Sequence, residues 1–229
     1  MPENLLLASL PVEERERLLP RMEHVPLILE DVLYEQNERI RYVYFPTSGV
    51  ISLLCTTDEG MSIEAGTAGA EGMVGIPVFL GVDTSFNKTL VQVAGEALRM
   101  KAEAFREVAR QPSRLHDLML LYVDARMTQM SLSIGCNRFH NVEKRLARWL
   151  LMMQDCARTD EFKFTQDIIS RMIGTKRPHV STAANSLHQR GLIRNGRGKI
   201  DILDREGLLK IACPCYVYSK VNYERLFSV

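Results

Sequence analysis

Between Leu27 and Arg99 the sequence breaks into seven short β-rich runs, and this stretch constrains the fold more than any other feature. The runs are LILEDVLY, YVYF, GVISLLC, MSIEAGT, MVGIPVFLG, TLVQVAG and EALRM, with Gly, Pro, Asn or Asp near most of their junctions. Many short strands at such close spacing are typical of a small barrel or roll. A short helix over residues 3–21 is predicted to precede the runs.

Helices are predicted after the β-rich stretch. AEAFREVARQ forms one that ends at Pro112, and Ser113 caps a second, long helix. The long helix has more apolar surface than one roll covers, so it serves either dimerisation or the packing of the roll. The residues predicted for dimerisation share its apolar spacing: Leu115, Met119, Tyr122, Met127, Met130 and Ile134.

Asn141 is a second cap, before the shorter helix VEKRLARWLLMMQD. We therefore place the domain boundary near residues 139–141. The expected chain is α+β: a β-roll with flanking helices over 1–112, a long helix and hinge over 113–140, and a second domain over 141–229.

Composition excludes several classes of protein. The apolar content is 46% and the longest unbroken apolar stretch, residues 74–82, is far shorter than the ~20 residues of a bilayer span. No basic segment followed by an apolar one opens the sequence, so we expect a cytoplasmic protein without a membrane partner. The five cysteines are an odd number at irregular spacing, which favours free thiols.

Charge is unevenly distributed, although the chain has 29 Lys and Arg against 28 Asp and Glu. Residues 164–200 carry a net charge of +6, and the remainder carries −5. A basic module in a neutral chain is expected of a protein that meets a polyanion with one end. A solvated basic face is the alternative explanation.

The arrangement inside the basic segment favours nucleic acid. TQDIISRMI predicts a short helix, Gly174-Thr175 a turn, and KRPHVSTAANSLHQRG a second helix, which together form a DNA-reading helix-turn-helix. After Gly191, LIRNGRGKIDIL predicts a hairpin with its tight turn at Asn195-Gly196. Basic residues on such a hairpin typically contact phosphates.

The chain as a whole resembles the Crp/Fnr family of bacterial transcription regulators. The resemblance rests on YVYFPTSGVISLL, NVEKRLARWLL and FTQDIISRMIGTKRPHVSTAANSLHQRGLIRNGRGKIDILDREGL. It implies an N-terminal β-roll (a cyclic-nucleotide-binding-like jelly roll), a long dimerisation helix and a C-terminal winged helix-turn-helix. The partners implied are double-stranded DNA, a second copy of the chain and a small-molecule effector, with RNA polymerase as a further candidate.

The resemblance places Arg177 at the family's guanine-reading arginine, whereas Pro178 and Thr182 depart from the family's usual Glu and Arg. We therefore expect sequence choice to rest on Lys176, Arg177, His179 and Thr182. The full set of predicted DNA-binding residues is Thr165, Gln166, Thr175, Lys176, Arg177, His179, Val180, Ser181, Thr182, Arg194, Arg197 and Lys199.

Cyclic AMP is expected to bind weakly or not at all. Relatives that bind it have a Gly-Glu pair followed by an Arg-Ser dipeptide, but no arginine lies between Arg41 and Arg99 here. The nearest cation, Lys88, lacks the bidentate grip of a guanidinium. The candidate effector pocket comprises Glu71, Gly72, Lys88, Thr89 and Ser131, and no cofactor is assigned.

The sequence also bears on metal, enzyme and adaptor functions. No cysteine precedes Cys55 and no two histidines share ligand spacing, which disfavours the family's iron–sulfur and haem sensors. Cys213-Pro214-Cys215 supplies only two sulfurs, too few for a tetrahedral zinc site, so no metal is predicted. No Walker loop, His-Glu-x-x-His helix or Gly-x-Ser-x-Gly elbow is present, so we predict no enzyme. A signalling adaptor without a DNA role remains the alternative.

Overall fold

The computed structural model describes residues 3–227 and places seven antiparallel strands in an N-terminal β-roll. The sheets have the strand orders β1-β7-β3 and β2-β6-β4-β5. Apolar residues from both sheets, among them Phe45 and Ile51, fill the space between them. The predicted roll is confirmed, with strands β1 Met22–Leu27, β2 Val32–Tyr34, β3 Tyr42–Pro46, β4 Val50–Thr56, β5 Ser62–Ala68, β6 Lys88–Val93 and β7 Gly95–Lys101.

Short helices flank the roll, and two predictions about them were wrong. The single helix expected over 3–21 is split at Pro11 into α1 Leu5–Ala8 and α2 Val12–Leu18. The run MVGIPVFLG contains α3, Ile76–Phe79, instead of a strand. Gly75 has φ 102° and Pro77 lies in the first helical turn, so both residues favour a helix start over a continuing strand. Helix α4 spans Ala102–Ala109.

The long helix is present as α5, Arg114–Phe139. Its cap is Ser113, whose Oγ accepts a hydrogen bond from the His116 backbone N–H at 3.2 Å. Asn141 caps α6, Val142–Ala157, in the same way, with its Oδ1 3.0 Å from the Lys144 backbone N. Between the two helices His140 has extended backbone angles, which end α5 sharply.

The C-terminal part has its own core, built by α6, α7 Gln166–Met172, α8 Arg177–Gln189 and a small sheet. The sheet order is β8-β10-β9, with β8 Glu161–Phe162, β9 Ile193–Gly196 and β10 Lys199–Ile202. Two further helices follow, α9 Arg205–Ile211 and α10 Cys215–Glu224, and α10 packs against α5 and α6. Of the helices within residues 3–227, none has the length and hydropathy of a bilayer span.

Candidate nucleic-acid interface, dimer face and effector cavity

A tight turn joins α7 to α8 and positions the helix-turn-helix. Gly174 in this turn has φ 59°, in the left-handed region that favours glycine. A Cβ there would lie 2.3 Å from Cδ1 of Ile63 on β5, so a larger residue would also push the turn off the roll. Ile169 of α7 and Val180, Ala184 and Leu187 of α8 point into the C-terminal core.

The opposite side of α8 is exposed at its N-terminal end. Lys176, Arg177, His179 and Thr182 all face solvent there. Arg177 Nη1 lies 3.7 Å from Oδ2 of Asp167, and both side chains are more than 60% exposed. An ion pair this long and this exposed contributes little stability, so the guanidinium is available to another partner. The helix N-terminus adds a partial positive charge on the same side.

Other predicted contact residues on this unit are placed less uniformly. Val180 is fully buried in the C-terminal core and cannot contact DNA, so that prediction was wrong. Thr165 caps α7, its Oγ1 accepting from the Ile168 backbone N–H at 3.2 Å. Gln166, Thr175 and Ser181 are half-buried at the rim of the exposed face.

The wing is the β9–β10 hairpin, and its turn lies two residues later than predicted. Gly196 pairs with Lys199 and Asn195 with Ile200, so the turn residues are Arg197 and Gly198. Gly198 supplies the positive φ, 73°, that the turn needs. Arg197 is therefore at the wing tip, exposed and without an ion pair among residues 3–227.

The other two wing cations are partly neutralised. Arg194 Nη1 lies 3.3 Å from Oδ2 of Asp201, and Lys199 Nζ lies 3.0 Å from Oε2 of Glu161 and 3.2 Å from Oδ1 of Asp201. The hydrogen bond to Glu161 is the largest cause of a raised pKa at Lys199, which keeps this amine protonated. Of the three wing cations, Arg197 is the one most available to a phosphate.

Helix α5 is apolar on two faces. Leu115, Met119 and Tyr122 are buried in the core of the roll, so the prediction that they mediate dimerisation was wrong. Met127, Met130 and Ile134 are 64, 41 and 73% exposed on the other face. With Leu120 and the half-buried Val123 they form a stripe whose spacing alternates between three and four residues, the a/d pattern of a two-helix seam.

The residues predicted for the effector pocket do not converge. Lys88 pairs with Glu35 at 3.0 Å, Thr89 is buried within the sheet, and Ser131 is exposed on α5. Glu71 lines a cavity of about 310 Å³ between the roll, α5, α6 and α10. Gly72 lies against the Tyr122 hydroxyl, which would be 2.4 Å from a Cβ at this position.

A guanidinium from α5 occupies the space between the helix and the roll beside that cavity. Arg126 is only 5% exposed and donates to the carbonyl oxygen of Thr67, to Gln129 Oε1 at 2.8 Å and to the Tyr223 hydroxyl at 3.2 Å. Its Nη2 would be 2.4 Å from a Cβ at Gly66 on β5. The long helix thus places a cation against the roll that the sequence analysis did not identify.

Glu64 of β5 connects the roll to the C-terminal domain. Its Oε1 accepts from Trp149 Nε1 of α6 at 3.1 Å, and its Oε2 accepts from the Ser52 hydroxyl at 2.8 Å. Burial raises the pKa of Glu64 to about 7, against the opposing effect of these two hydrogen bonds. Glu64 is therefore a carboxyl with a pKa near neutrality at the contact between the roll and α6.

Within residues 3–227 one group of side chains has the composition and proximity to hold a metal ion: Cys136, His140, Cys213 and Cys215. Their ligand atoms all lie within 4.8 Å of one another. The prediction of no metal was wrong to treat Cys213 and Cys215 as an isolated pair, because Cys136 and His140 lie beside them. Cys136 and His140 are four residues apart, a ligand spacing that the sequence analysis sought only between histidines.

Comparison with known proteins identifies both domains. The cyclic nucleotide-binding domain matches residues 29–111, and the Crp-like helix-turn-helix domain matches residues 144–211. No curated protein matches the chain significantly. The helix-turn-helix match disfavours the adaptor alternative, which has no DNA role.

Solved structures share the fold. A Crp/Fnr-family regulator from Eubacterium rectale aligns at TM-score 0.70 and 19% identity over 91% of this chain and 99% of its own. The c-di-GMP-responsive global regulator CLP of Xanthomonas campestris aligns at 0.66 and 15%, covering 84% and 99%. FixK2 of Bradyrhizobium japonicum aligns at 0.68 and 14%, covering 84% and 98%.

The first of these structures is of a transcriptional regulator and the second of a global regulator, and the Crp-like helix-turn-helix domain matched by this chain agrees with the prediction of no enzyme. The two matched domains occur in the order that the sequence predicted, with the long helix between them. The chain therefore belongs to the Crp/Fnr family of DNA-binding transcription regulators.

Proposed function

We propose that the protein acts as a homodimer that reads a specific DNA sequence with the N-terminal end of α8, and that cyclic AMP is not its effector. The observation that carries the proposal is the exposure of Lys176 and Arg177 at the tip of a helix whose other face is core. A helix held in this way can enter the major groove without unfolding any part of its own domain.

The dimer is supported by the α5 stripe. Leu120, Met127 and Ile134 are more than half exposed in a single protomer. Exposed apolar patches of this length normally mark an interface. Because their spacing is that of a two-helix seam, a second copy of α5 is the occupant that fits. Pairing there would place two α8 helices on one duplex, whose half-sites lie about 34 Å apart.

Base reading is assigned to four side chains. Arg177 has the bidentate fork that matches the O6 and N7 of guanine, and Lys176 and His179 flank it. Thr182 already donates to the carbonyl of Pro178 at 3.1 Å, which leaves its oxygen free to accept. Pro178 has no N–H and no polar side chain, so it reads no base.

Phosphate contacts are assigned to the wing and to the rim of α7 and α8. The side chains concerned can add affinity without sequence choice. They are Arg194, Arg197 and Lys199 on the wing, and Thr165, Gln166, Thr175 and Ser181 on the rim.

The environment of Arg126 disfavours cyclic AMP as the effector. A cyclic nucleotide bound between roll and long helix needs a cation on the roll for its phosphate, but here the cation comes from α5, and its Nη1 already donates to Thr67, Gln129 and Tyr223. Arg126 also connects Thr67 of the roll to Tyr223 of α10. A small molecule entering the 310 Å³ cavity beside Glu71 would act on this connection instead.

The domain limits proposed for this function are those predicted above: a sensing domain over 1–112, the dimerisation helix and hinge over 113–140, and the DNA-binding domain over 141–229. Contact with RNA polymerase, expected of the family, is part of the same proposal. It implies action in the cytoplasm, where the transcription machinery lies.

The test is an Arg177→Ala variant on a duplex enriched from a random library by the wild-type protein. Loss of one bidentate contact should reduce discrimination at one base pair by about 1–3 kcal/mol, or about 5- to 150-fold. Arg190→Ala is the matched control, because Arg190 lies at the other end of the same helix in an ion pair of 3.6 Å. Unchanged discrimination in Arg177→Ala would remove this residue from base reading.

A further inference from the structure

Three cysteines and one histidine meet where α5 ends. Cys136 is in the last turn of α5 and His140 immediately follows that helix, whereas Cys213 lies between α9 and α10 and Cys215 is the first residue of α10. Cys136 Sγ is 3.4 Å from Cys213 Sγ, and Cys215 Sγ is 3.8 Å from His140 Nδ1. The cluster therefore joins two parts of the chain that are 77 residues apart.

Local structure brings each pair of ligands to the same side. The His140 backbone N–H still bonds the Cys136 carbonyl oxygen at 3.1 Å, so the two side chains follow one another along the same helix face. Pro214 restricts the backbone between Cys213 and Cys215 and caps α10. The three cysteines are at most 9% exposed, and His140 is half-buried.

The distances fit a single tetrahedral ion. Zn–S bonds of about 2.3 Å in a tetrahedron place two sulfurs about 3.8 Å apart, and the four ligand atoms of the cluster all lie within 4.8 Å of one another. The 3.4 Å between Cys136 and Cys213 is much longer than the roughly 2.0 Å of a disulfide. An iron–sulfur cluster would hold its cysteines farther apart, because several irons and bridging sulfides lie between them.

The surrounding charge also suits zinc. Three thiolates, a neutral imidazole and Zn²⁺ carry one net negative charge, which a buried site must balance. Arg148 of α6 acts electrostatically on Cys136 and donates to the Ser133 hydroxyl at 2.9 Å. Its Nε is buried without a hydrogen-bond partner among the described residues, which leaves a donor for a ligand sulfur.

We propose that Cys136, His140, Cys213 and Cys215 bind one Zn²⁺ ion in a closed Cys3His site. All four positions of the tetrahedron are filled by protein, so the ion has a structural role. It would fasten the end of α5, at the hinge to α6, to the start of α10. The proposal does not depend on DNA binding or on dimerisation.

The first test measures metal in the full-length protein purified under reducing conditions. After incubation with Zn²⁺ and removal of excess metal, we expect inductively coupled plasma mass spectrometry to find one zinc ion per chain. Replacement by Co²⁺ should produce the visible d–d bands of a tetrahedral site and sulfur-to-cobalt charge transfer. A wild-type chain that retains no zinc and lacks these bands would overturn the proposal, as would a Cys136–Cys213 disulfide in the reduced protein.

Variants locate the site. Cys213→Ser and His140→Ala should lose the zinc and the cobalt spectrum, whereas Cys55→Ser, at a half-buried cysteine of the roll outside the cluster, should keep both. Retention of metal by both cluster variants would overturn the assignment. If Cys213→Ser does not fold, His140→Ala and the wild-type measurements decide the question.

Hydrogen exchange tests the structural role. Zinc-loaded protein should exchange amides of α10 and of the last turn of α5 more slowly than protein treated with EDTA, with no change in the strands of the roll. Equal exchange with and without zinc would contradict the idea that the ion fastens these elements.

Discussion

A charge placed in the α5 stripe tests the dimer directly. Met127 is 64% exposed in the protomer, and full burial of a methionine side chain is worth about 1.5–3 kcal/mol. Covering its exposed part would therefore stabilise the interface by about 1–2 kcal/mol, and twofold symmetry doubles this to about 2–4 kcal/mol. Met127→Glu should weaken dimerisation by about 30- to 1,000-fold. Two facing carboxylates would add to the loss.

Sedimentation velocity over a dilution series measures the dissociation constant of the dimer. Phe86→Glu is the matched control, since Phe86 is also 64% exposed but lies on the roll, away from α5. The account requires a large shift for Met127→Glu and none for Phe86→Glu. If Met127→Glu dissociates at the same concentrations as the wild-type dimer, the assignment of this face is refuted. The assignment is also refuted if both variants raise the dimer dissociation constant equally.

Three further predictions concern the wing, the domain contact and the cavity. Arg197→Ala should weaken binding almost equally on all duplexes and lower the salt slope of log K by about 1, measured by fluorescence anisotropy at several salt concentrations; an altered sequence preference would contradict this. The pKa of Glu64 is about 7 in the folded protein and near 4.5 in the unfolded chain, so the folded protein binds this proton more tightly. The contribution of Glu64 to the free energy of unfolding should therefore fall by about 3 kcal/mol as pH rises from about 4.5 to about 7. Glu64→Gln should remove this fall, as followed by urea unfolding with Trp149 fluorescence, and identical pH profiles would count against it. Titration calorimetry with cyclic AMP should show no binding in the micromolar range, and micromolar affinity would overturn our account of Arg126.

Local signals allowed much of the fold to be predicted. Ser113, Asn141 and Thr165 cap helices through their own side chains, so the sequence alone locates those helix starts. The run around Ile76 was misread because a short apolar run has the same composition in a strand and in a buried helix. At this run the positive φ of Gly75 starts a helix, and the amino-acid composition of the run does not reveal that backbone angle.

The face of a helix that meets its partner is harder to predict. Helix α5 is apolar on both faces, so its periodicity could not show that Tyr122 packs in the roll whereas Met127 is exposed to solvent. Val180 shows the same difficulty, because it was predicted to bind DNA but lies on the face of α8 that packs into the C-terminal core with Ala184 and Leu187.

Contacts between side chains that are far apart in the chain could not be predicted from the sequence. Arg126 and Tyr223 meet across 97 residues, and Cys136 meets Cys213 across 77. No local pattern encodes such pairings, because they depend on how α10 folds back onto α5. Cys136 and His140 are nevertheless four residues apart in the sequence, a spacing that puts two ligands on one helix face. This spacing, applied to a cysteine and a histidine together, indicates two of the four ligands.

In the proposed complex, the N-terminal ends of two α8 helices, carried by one dimer, bind a duplex at half-sites one helical turn apart. The most direct measurement is the affinity of wild-type protein for its selected duplex and for duplexes whose half-sites are moved apart by about half a turn, roughly 5 base pairs. We predict two chains per duplex and a large loss of affinity on the half-turn insertion, because one half-site then faces away. Equal affinity at every spacing, or one chain per duplex, would contradict the account.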